Sequence, residues 1–397
     1  MHLDLNSCFA SVEQQANPLL RGKPVAVAAY TTPSGCILAP SVEAKKCGVK
    51  TGMRVGEGKR LCPDLVVLSS DPDKYRQVHL SFRRLLGEYC DQVVPKSIDE
   101  FVMDLEDYGG SDKMIITARD IKRRIKEEIG EWLTISVGIG PSRFLAKMAA
   151  GLHKPDGLDV IDKSNYQEIY ESLKLTDLCG ISQRNAARLN GVGIYSVSQF
   201  AAASIQRLRS AFGSVAGHYW HLRLWGFEVD EGALLRKSFG NSYALSRPLA
   251  KKEELAPILS KLVEKASYRM RRSGYVAAGV HLAIVYRDGS NWHKGITVPE
   301  IFAGSDVYRR VWQLLGICPY RKPVRNLAVS CFNLKERTST QLALFDDILK
   351  KGKVVRAIDK INDRFGEFVI TPALMLGTAD KVPDRISFGG LDKINFE

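Results

Sequence analysis

An adjacent pair of carboxylates, Asp99-Glu100, enters an apolar run in Ser97-Ile-Asp-Glu-Phe-Val-Met103, and a third, Asp4, lies within the first apolar run of the chain, Met1-His-Leu-Asp-Leu5. Three carboxylates gathered at one place indicate a divalent metal. Mg²⁺ prefers a few carboxylates, waters and substrate phosphate oxygens to an all-protein cage. With a nucleotide present, three carboxylates suit two such ions about 3.5–4 Å apart, one activating an attacking oxygen and the other steadying a leaving one. Taken alone, Asp99-Glu100 reads as a solvated turn, so the reading depends on what surrounds it.

Successive side chains of a strand point to opposite faces. Two consecutive carboxylates therefore reach one site only from a turn, and the segment from Asp91 to Leu105 reads as two β-runs meeting in a hairpin at Asp99-Glu100, with Asp4 on a neighbouring strand. Two further segments suit a triphosphate. Ser41-Val-Glu-Ala-Lys-Lys46 reads as helical, with Lys45 one turn beyond Ser41, and the run from Ser136 to Ala150 passes from a strand through Gly140-Pro-Ser142 into a helix bearing Lys147 on its second turn. Singly, these lysines read as solvated. Gly138-x-Gly140 lacks the rest of a dinucleotide fingerprint, and the chain has no GxxxxGK[ST] phosphate loop.

The 397 residues, 45% hydrophobic and 25% charged, allow two to four domains of ordinary globular composition. No apolar run approaches the roughly 18 residues of a membrane span, and the N-terminus has no basic, apolar and cleavage-site sequence of regions, so a cytoplasmic protein is expected. The eight cysteines are scattered, with no CxxC pair, and read as reduced and mostly structural rather than as zinc ligands. The net charge of +13 is concentrated: Arg236 to Lys335 carries 18 Lys and Arg against 6 Asp and Glu. A basic face of this kind favours a polyanion, nucleic acid first.

That basic region reads as a strand (238–246), an amphipathic helix (251–272), a hairpin (276–286 and 291–298) turning at Asp288-Gly289-Ser290, a helix (305–316) and a strand (325–334). The order β-α-β-β-α-β is a split βαβ sheet with helices on one face and the other face free for a duplex. Ahead of it, Leu178-Cys-Gly-Ile-Ser-Gln-Arg-Asn-Ala-Ala-Arg-Leu-Asn-Gly-Val-Gly-Ile194 resembles a helix-hairpin-helix, in which Gly180, Ser182, Gly191 and Gly193 would let backbone amides approach a phosphate.

Together, Asp4-Leu-Asn-Ser-Cys-Phe-Ala-Ser-Val-Glu13, Ser97-Ile-Asp-Glu100, Ser136-Val-Gly-Ile-Gly-Pro-Ser-Arg-Phe-Leu-Ala-Lys147 and His153-Lys-Pro-Asp-Gly157 resemble the Y-family translesion DNA polymerases, over residues 1 to about 335. The resemblance implies a multidomain α+β right hand: palm in 1–12 and 71–153, fingers in 13–70, a helical thumb with the helix-hairpin-helix in 154–232, a little finger in 236–335 and a tail in 336–397. It implies metal binding and catalysis by Asp4, Asp99 and Glu100, with the main-chain carbonyl of Leu5 as a further ligand of two Mg²⁺ ions, Mn²⁺ being a substitute. It places Ser7, Cys8, Phe9, Ser41, Lys45 and Lys147 on the dNTP, with Phe9 as the steric gate that collides with a ribose 2′-hydroxyl. DNA contacts are expected from the thumb turns and from Arg236, Lys237, Arg247 and Arg287. The implied reaction is attack of a primer 3′-hydroxyl on the α-phosphate of a dNTP with release of pyrophosphate.

The chain departs from the family pattern in places. Where members commonly carry Thr and Tyr on the triphosphate, alignment on Glu43-Ala44 gives Ala39 and Val42, with Ser41 and Ser7 as the expected substitutes. Lys45 stands where Arg is more usual, which gives up the two-pronged phosphate contact. Ala39 and Pro40 over the nascent pair imply a roomy, low-fidelity site. Met1 lies only three residues before Asp4, so native residues are expected ahead of it. In the tail, Gln341-Leu-Ala-Leu-Phe345 resembles the peptide by which bacterial polymerases grip the sliding clamp, with Leu342, Leu344 and Phe345 as anchors and Gln341 at the rim. The helical stretch 354–365 resembles the tail of the polymerase V catalytic subunit, which implies an accessory subunit, whereas residues 136–157 resemble polymerase IV. The expected protein is a monomeric enzyme on primer-template DNA. The competing expectation is a catalytically dead, clamp-bound scaffold, and a nucleotidyl cyclase with a similar palm leaves the basic region and the clamp-like peptide without a purpose.

Overall fold

Four residues at the start of the chain form the middle of a sheet. In the structure, a computed structural model that describes residues 1–105, 109–229, 236–336, 348–384 and 386, the chain divides into two units, Met1–Gly232 with Arg385–Glu397, and Ala233–Asp384. The first unit runs β1 (His2–Leu5), α1 (Cys8–Ala16), β2 (Val25–Ala28), β3 (Ile37–Pro40), α2 (Val42–Lys46), α3 (Val55–Leu61), β4 (Val66–Ser69), α4 (Pro72–Gly87), β5 (Val93–Pro95), β6 (Glu100–Met103), α5 (Ser111–Arg124), β7 (Ile135–Ile139), α6 (Arg143–Leu152) and β8 (Leu158–Val160). Five helices follow: α7 (Tyr166–Ser172), α8 (Gln183–Asn190), α9 (Val197–Ala202), α10 (Ile205–Phe212) and α11 (Ala216–Leu224).

The main sheet has the order β5-β6-β1-β7-β8, antiparallel except for the last pair. Strand alternation sorts β1: Leu3 and Leu5 join Phe101, Met103, Ile135 and Val137 in the core, while His2 and Asp4 take the other face. Helix α6 covers that second face, and Gly138 makes the approach possible. A Cβ on Gly138 would lie 2.0 Å from the Ala146 carbonyl oxygen and 2.2 Å from the Ala150 nitrogen. The Gly138-x-Gly140 pattern therefore serves helix-to-sheet packing. A second sheet, β3-β2-β4, packs with α2 and α3 around Ala26, Ile37, Ala44, Val55 and Leu65. Helices α7 to α11 enclose their own cluster, including Leu189, Phe200, Leu208 and Trp220.

Two expectations need correction. Glu100 is the first residue of β6, so that only Asp99 lies on the connection from β5. Strand β8 falls after residue 153, where the thumb was expected to begin, and pairs in parallel with β7. Its three residues are too few to show alternation.

The second unit consists of β9 (Ser238–Leu249), α12 (Lys252–Arg272), β10 (Tyr275–Tyr286), β11 (Asn291–Ile301), α13 (Gly304–Ile317), β12 (Val324–Glu336) and α14 (Ile348–Phe365). The sheet order β11-β10-β12-β9, antiparallel throughout, puts β12 between β9 and β10, the expected split βαβ arrangement. Val280, Leu282, Ile284, Leu327 and Val329 face α12 and α13 in one core. The tail is not a separate appendage as far as Asp384. Arg271 on α12 makes a two-pronged pair with Asp359 of α14 at 2.7 and 2.8 Å. The buried Lys261 ammonium donates to the carbonyls of Thr378 and Lys381, and Lys265 donates to that of Val382. The sequence reading of 251–272 as an amphipathic helix gives no sign of this role for the two lysines.

Gly138→Ala is expected to force α6 off the sheet, lowering the melting temperature of the first unit by roughly 5–10 °C in a thermal scan. An unchanged melting temperature would contradict this packing.

Candidate active site

The register of β1 and β6 sets Asp4 opposite Glu100, and the Leu5 amide donates to the Asp99 carbonyl at 2.9 Å, drawing Asp99 to the same end of β1. The loop from β1 into α1 passes through Ser7 in the left-handed region, φ 52° and ψ 35°. A non-glycine residue held there stores strain of the kind found at functional sites. Beside this loop opens a cavity of about 480 Å³, whose wall includes Asp4, Leu5, Ser7, Cys8, Phe9 and Asp99. Ala39, Pro40, Val42, Lys45, Lys46 and Thr51 line it from the second sheet and α2.

Each carboxylate has a cation or hydroxyl at hand. Lys147 on α6 donates to Glu100 Oε2 at 2.6 Å, Lys154 donates to Asp4 Oδ2 at 2.5 Å, and the Ser97 hydroxyl donates to Asp99. Asn6 holds the Lys154 loop in place: its Oδ1 accepts from the Asp156 amide at 2.8 Å and its Nδ2 donates to Ser136 Oγ at 2.9 Å. Burial raises the Asp4 carboxyl above its ordinary value, Lys154 opposes this, and Glu100 and Asp99 add to it. Asp99 is likewise raised, by burial first and by Glu100, against the Ser97 hydrogen bond. Burial lowers Lys45, and its neighbour Lys154 lowers it further. Lys147 is lowered by burial but raised on balance by Glu100.

These residues fit a divalent cation. Two half-buried acids whose ionised forms are disfavoured stand with a third carboxylate, and the buried Ser7 hydroxyl, on the cavity wall, has no hydrogen-bond partner among the described residues. His2 adds a nitrogen that the sequence reading missed. Its ligand atom, with those of Asp4 and Glu100, falls within 4.8 Å of the others. Burial, then Lys147 and Lys154, lowers its pKa to about 3, so the ring is neutral.

Several expected residues have other occupations. Ser41 is fully buried, and its hydroxyl accepts from the Val25 and Ala44 amides at 3.2 Å as the N-cap of α2, so it does not replace a triphosphate hydroxyl. Its Ser-x-x-Ala spacing hides a cap with no acidic partner three residues on. The amides of Gly191, Val192, Gly193 and Ile194 donate to the Ala187, Leu189 and Asn190 carbonyls inside the turn, and Arg207 holds the Val192 and Gly193 carbonyls. Gly191 and Gly193 thus close α8, and their amides are not offered to phosphate. At the first turn, Gly180 has φ 92°, and the Ser182 side chain makes no cap at the start of α8. Arg236, Lys237, Arg247 and Arg287 are exposed in the second unit. Gln341, Leu342, Leu344 and Phe345 lie outside the described residues. Lys154, on the cavity wall, was missed; its signal was the His153-Lys-Pro-Asp-Gly157 motif already noted.

The chain is similar to known proteins over most of its length. The model of the impB/mucB/samB family matches residues 3–151, and that of the family's C-terminal domain matches residues 236–344. The DNA polymerase IV of Pelotomaculum thermopropionicum is 37% identical over 392 residues, covering 96% of both chains. DNA polymerase IV 1 of Bacillus subtilis is 33% identical over 397 residues, covering 98% of this chain and 95% of that one. The solved structure of a Y-family DNA polymerase chimera built from Dbh and Dpo4 superposes with a TM-score of 0.74 at 25% identity, over 84% of this chain and 98% of the other.

Because the folded protein raises the Asp99 carboxyl, ionising it costs stability at neutral pH. Asp99→Asn is expected to melt above the parent in chelator at pH 7.5, with the gain fading as pH falls through the raised value and gone below about pH 4, where the parent carboxyl is itself protonated. Added Mn²⁺ should stabilise the parent more than the variant. A variant melting at or below the parent across this range would refute the electrostatic account.

Proposed function

The chain belongs to the impB/mucB/samB family, the Y-family translesion DNA polymerases, and we propose that the cavity beside Asp4 is its nucleotidyl-transfer centre, with Asp4, Asp99, Glu100 and the Leu5 carbonyl holding two Mg²⁺ ions. The enzyme is a DNA-directed DNA polymerase of DNA repair, and its family depends on divalent metal. The observation that carries the site assignment is the convergence of Asp4 and Glu100 across one strand pair with Asp99 beside them. When bound, the metals supply Lewis-acid activation of the primer 3′-hydroxyl and charge neutralisation on the leaving pyrophosphate.

The chain's own residues supply position and charge. Lys45, on the cavity wall, neutralises part of the triphosphate, and Lys147 and Lys154, paired here with Glu100 and Asp4, have the charge to turn to phosphate oxygens instead. Ser7 and Cys8 bring the strained loop against the nucleotide. Phe9, on the wall, is the steric gate against the ribose 2′-hydroxyl. Ala39, Pro40 and Val42 leave the wall short and apolar, which supports tolerance of distorted templates. The first turn at Gly180 and Ser182, and the exposed Arg236, Lys237, Arg247 and Arg287, meet the DNA backbone.

Gln341 to Phe345 we assign to the bacterial sliding clamp, on the sequence alone. The relatives' names favour the polymerase IV side of the two subgroup expectations, and with it an enzyme without a polymerase V-type accessory subunit. A cytoplasmic location accords with there being no helix among the described residues long and apolar enough to cross a membrane. The inactive-scaffold reading is not favoured, since a scaffold has no need of three converging carboxylates with Phe9 and several lysines beside them.

Primer extension with Mg²⁺ and dNTPs should proceed in the parent and fall by at least about a thousandfold in Asp99→Ala with Glu100→Ala. Equal extension by both proteins would remove the catalytic assignment. Deleting residues 341–345 should abolish stimulation by a loaded clamp while leaving unstimulated synthesis intact; stimulation that survives would refute the clamp assignment.

A further inference from the structure

A ring that turns away one hydroxyl group discriminates only as well as the ring itself is held. Phe9, at the start of α1, is 3% exposed and forms part of the cavity wall. Behind it lies Tyr75 of α4, stacked on Phe9 with ring centroids 4.3 Å apart and planes 11° from parallel. The Tyr75 hydroxyl donates to Glu13 Oε1 at 2.8 Å. The other oxygen of Glu13 accepts from Lys74 Nζ at 2.6 Å, and Lys74 also lies 3.6 Å from Asp71 Oδ2.

Glu13 follows Phe9 by four residues on α1, so the two share a helix face and grip Tyr75 at both ends, one against its ring and the other at its hydroxyl. Neither Glu13 nor Tyr75 lines the cavity. Glu13 is only 8% exposed, a place where an apolar residue would pack without the desolvation cost of a carboxylate. Its two donors offset that cost while fixing where the Tyr75 ring stands. Burial and the Glu13 carboxylate also raise the Tyr75 phenol, which keeps its hydroxyl a donor.

We propose that Glu13, acting through Tyr75, is a positioning residue for sugar discrimination: the carboxylate fixes the tyrosine ring, and the ring fixes Phe9 against the nucleotide sugar. The proposal rests on the reading of Phe9 as the steric gate and adds the part that makes the gate rigid. Lys74 completes it by holding the second carboxylate oxygen.

The test is the ratio of kcat/KM for a dNTP over the matching rNTP in single-nucleotide primer extension, measured for Phe9→Ala, Tyr75→Phe, Glu13→Gln and their combinations. Phe9→Ala should lower the ratio by on the order of a hundredfold. Tyr75→Phe, which removes one oxygen and keeps the stacked ring, and Glu13→Gln should each lower it by about three- to tenfold. The two together should do no more than either alone, and neither should move the ratio in the Phe9→Ala background. A purely structural role would slow both substrates alike and leave the ratio at the parent value. If Phe9→Ala lowers the ratio and Tyr75→Phe leaves it unchanged, the positioning role is overturned, whatever the folding of the Glu13 variant. If Phe9→Ala itself leaves the ratio unchanged, the gate reading falls and this proposal with it.

Discussion

Two acids face each other across an antiparallel strand pair, Asp4 against Glu100, with a third on the adjoining turn. Like charges placed directly opposite destabilise a sheet, and burial worsens the matter by taking away water. Much of the first unit answers this constraint. Helix α6 presses onto β7, across a glycine that leaves room for its backbone, and brings Lys147 to Glu100. Asn6 ties down the loop that brings Lys154 to Asp4. The same repulsion gives a divalent cation its place, since a dication relieves a repulsion that two flexible ammonium groups only moderate.

The chemistry was legible from short segments taken together. Asp99-Glu100, Phe9 and the lysines on α2 and α6 lie in segments that singly read as solvated or structural and that only their joint order and spacing, resembling one family, marked as a site. The second unit was legible for another reason: strands of 11 to 13 residues and a helix of 21 show their periods plainly. What escaped was set by tertiary contact. Tyr75 is not singled out in the sequence, and only the fold shows its ring on Phe9 and its hydroxyl on Glu13. Ser41 carries the chemistry of a phosphate ligand and serves as a cap, because Val25 and Ala44 reach it first. Strand β8 is too short to have a period at all.

The departures at Ala39 and Val42 acquire a physical meaning in the cavity. Two positions that would give directional hydroxyl contacts present hydrocarbon instead, and cations at Lys45 and Lys46 stand on the same wall. Charge falls off slowly with distance and imposes little geometry, whereas a hydrogen bond does both less and more. On the proposed reading of this cavity, a triphosphate gripped in this way would be held firmly in place and loosely in orientation, which would suit a site that accepts misshapen partners.

Lys261 and Lys265 point their ammonium groups at carbonyls of residues 378 to 382, more than a hundred positions further along the chain. An ammonium group in an apolar setting without acceptors is among the more expensive things a protein can contain. The buried face of α12 is thus finished by a segment far along the chain, and a cut between α14 and residue 378 would leave two ammonium groups on that face without these carbonyl acceptors.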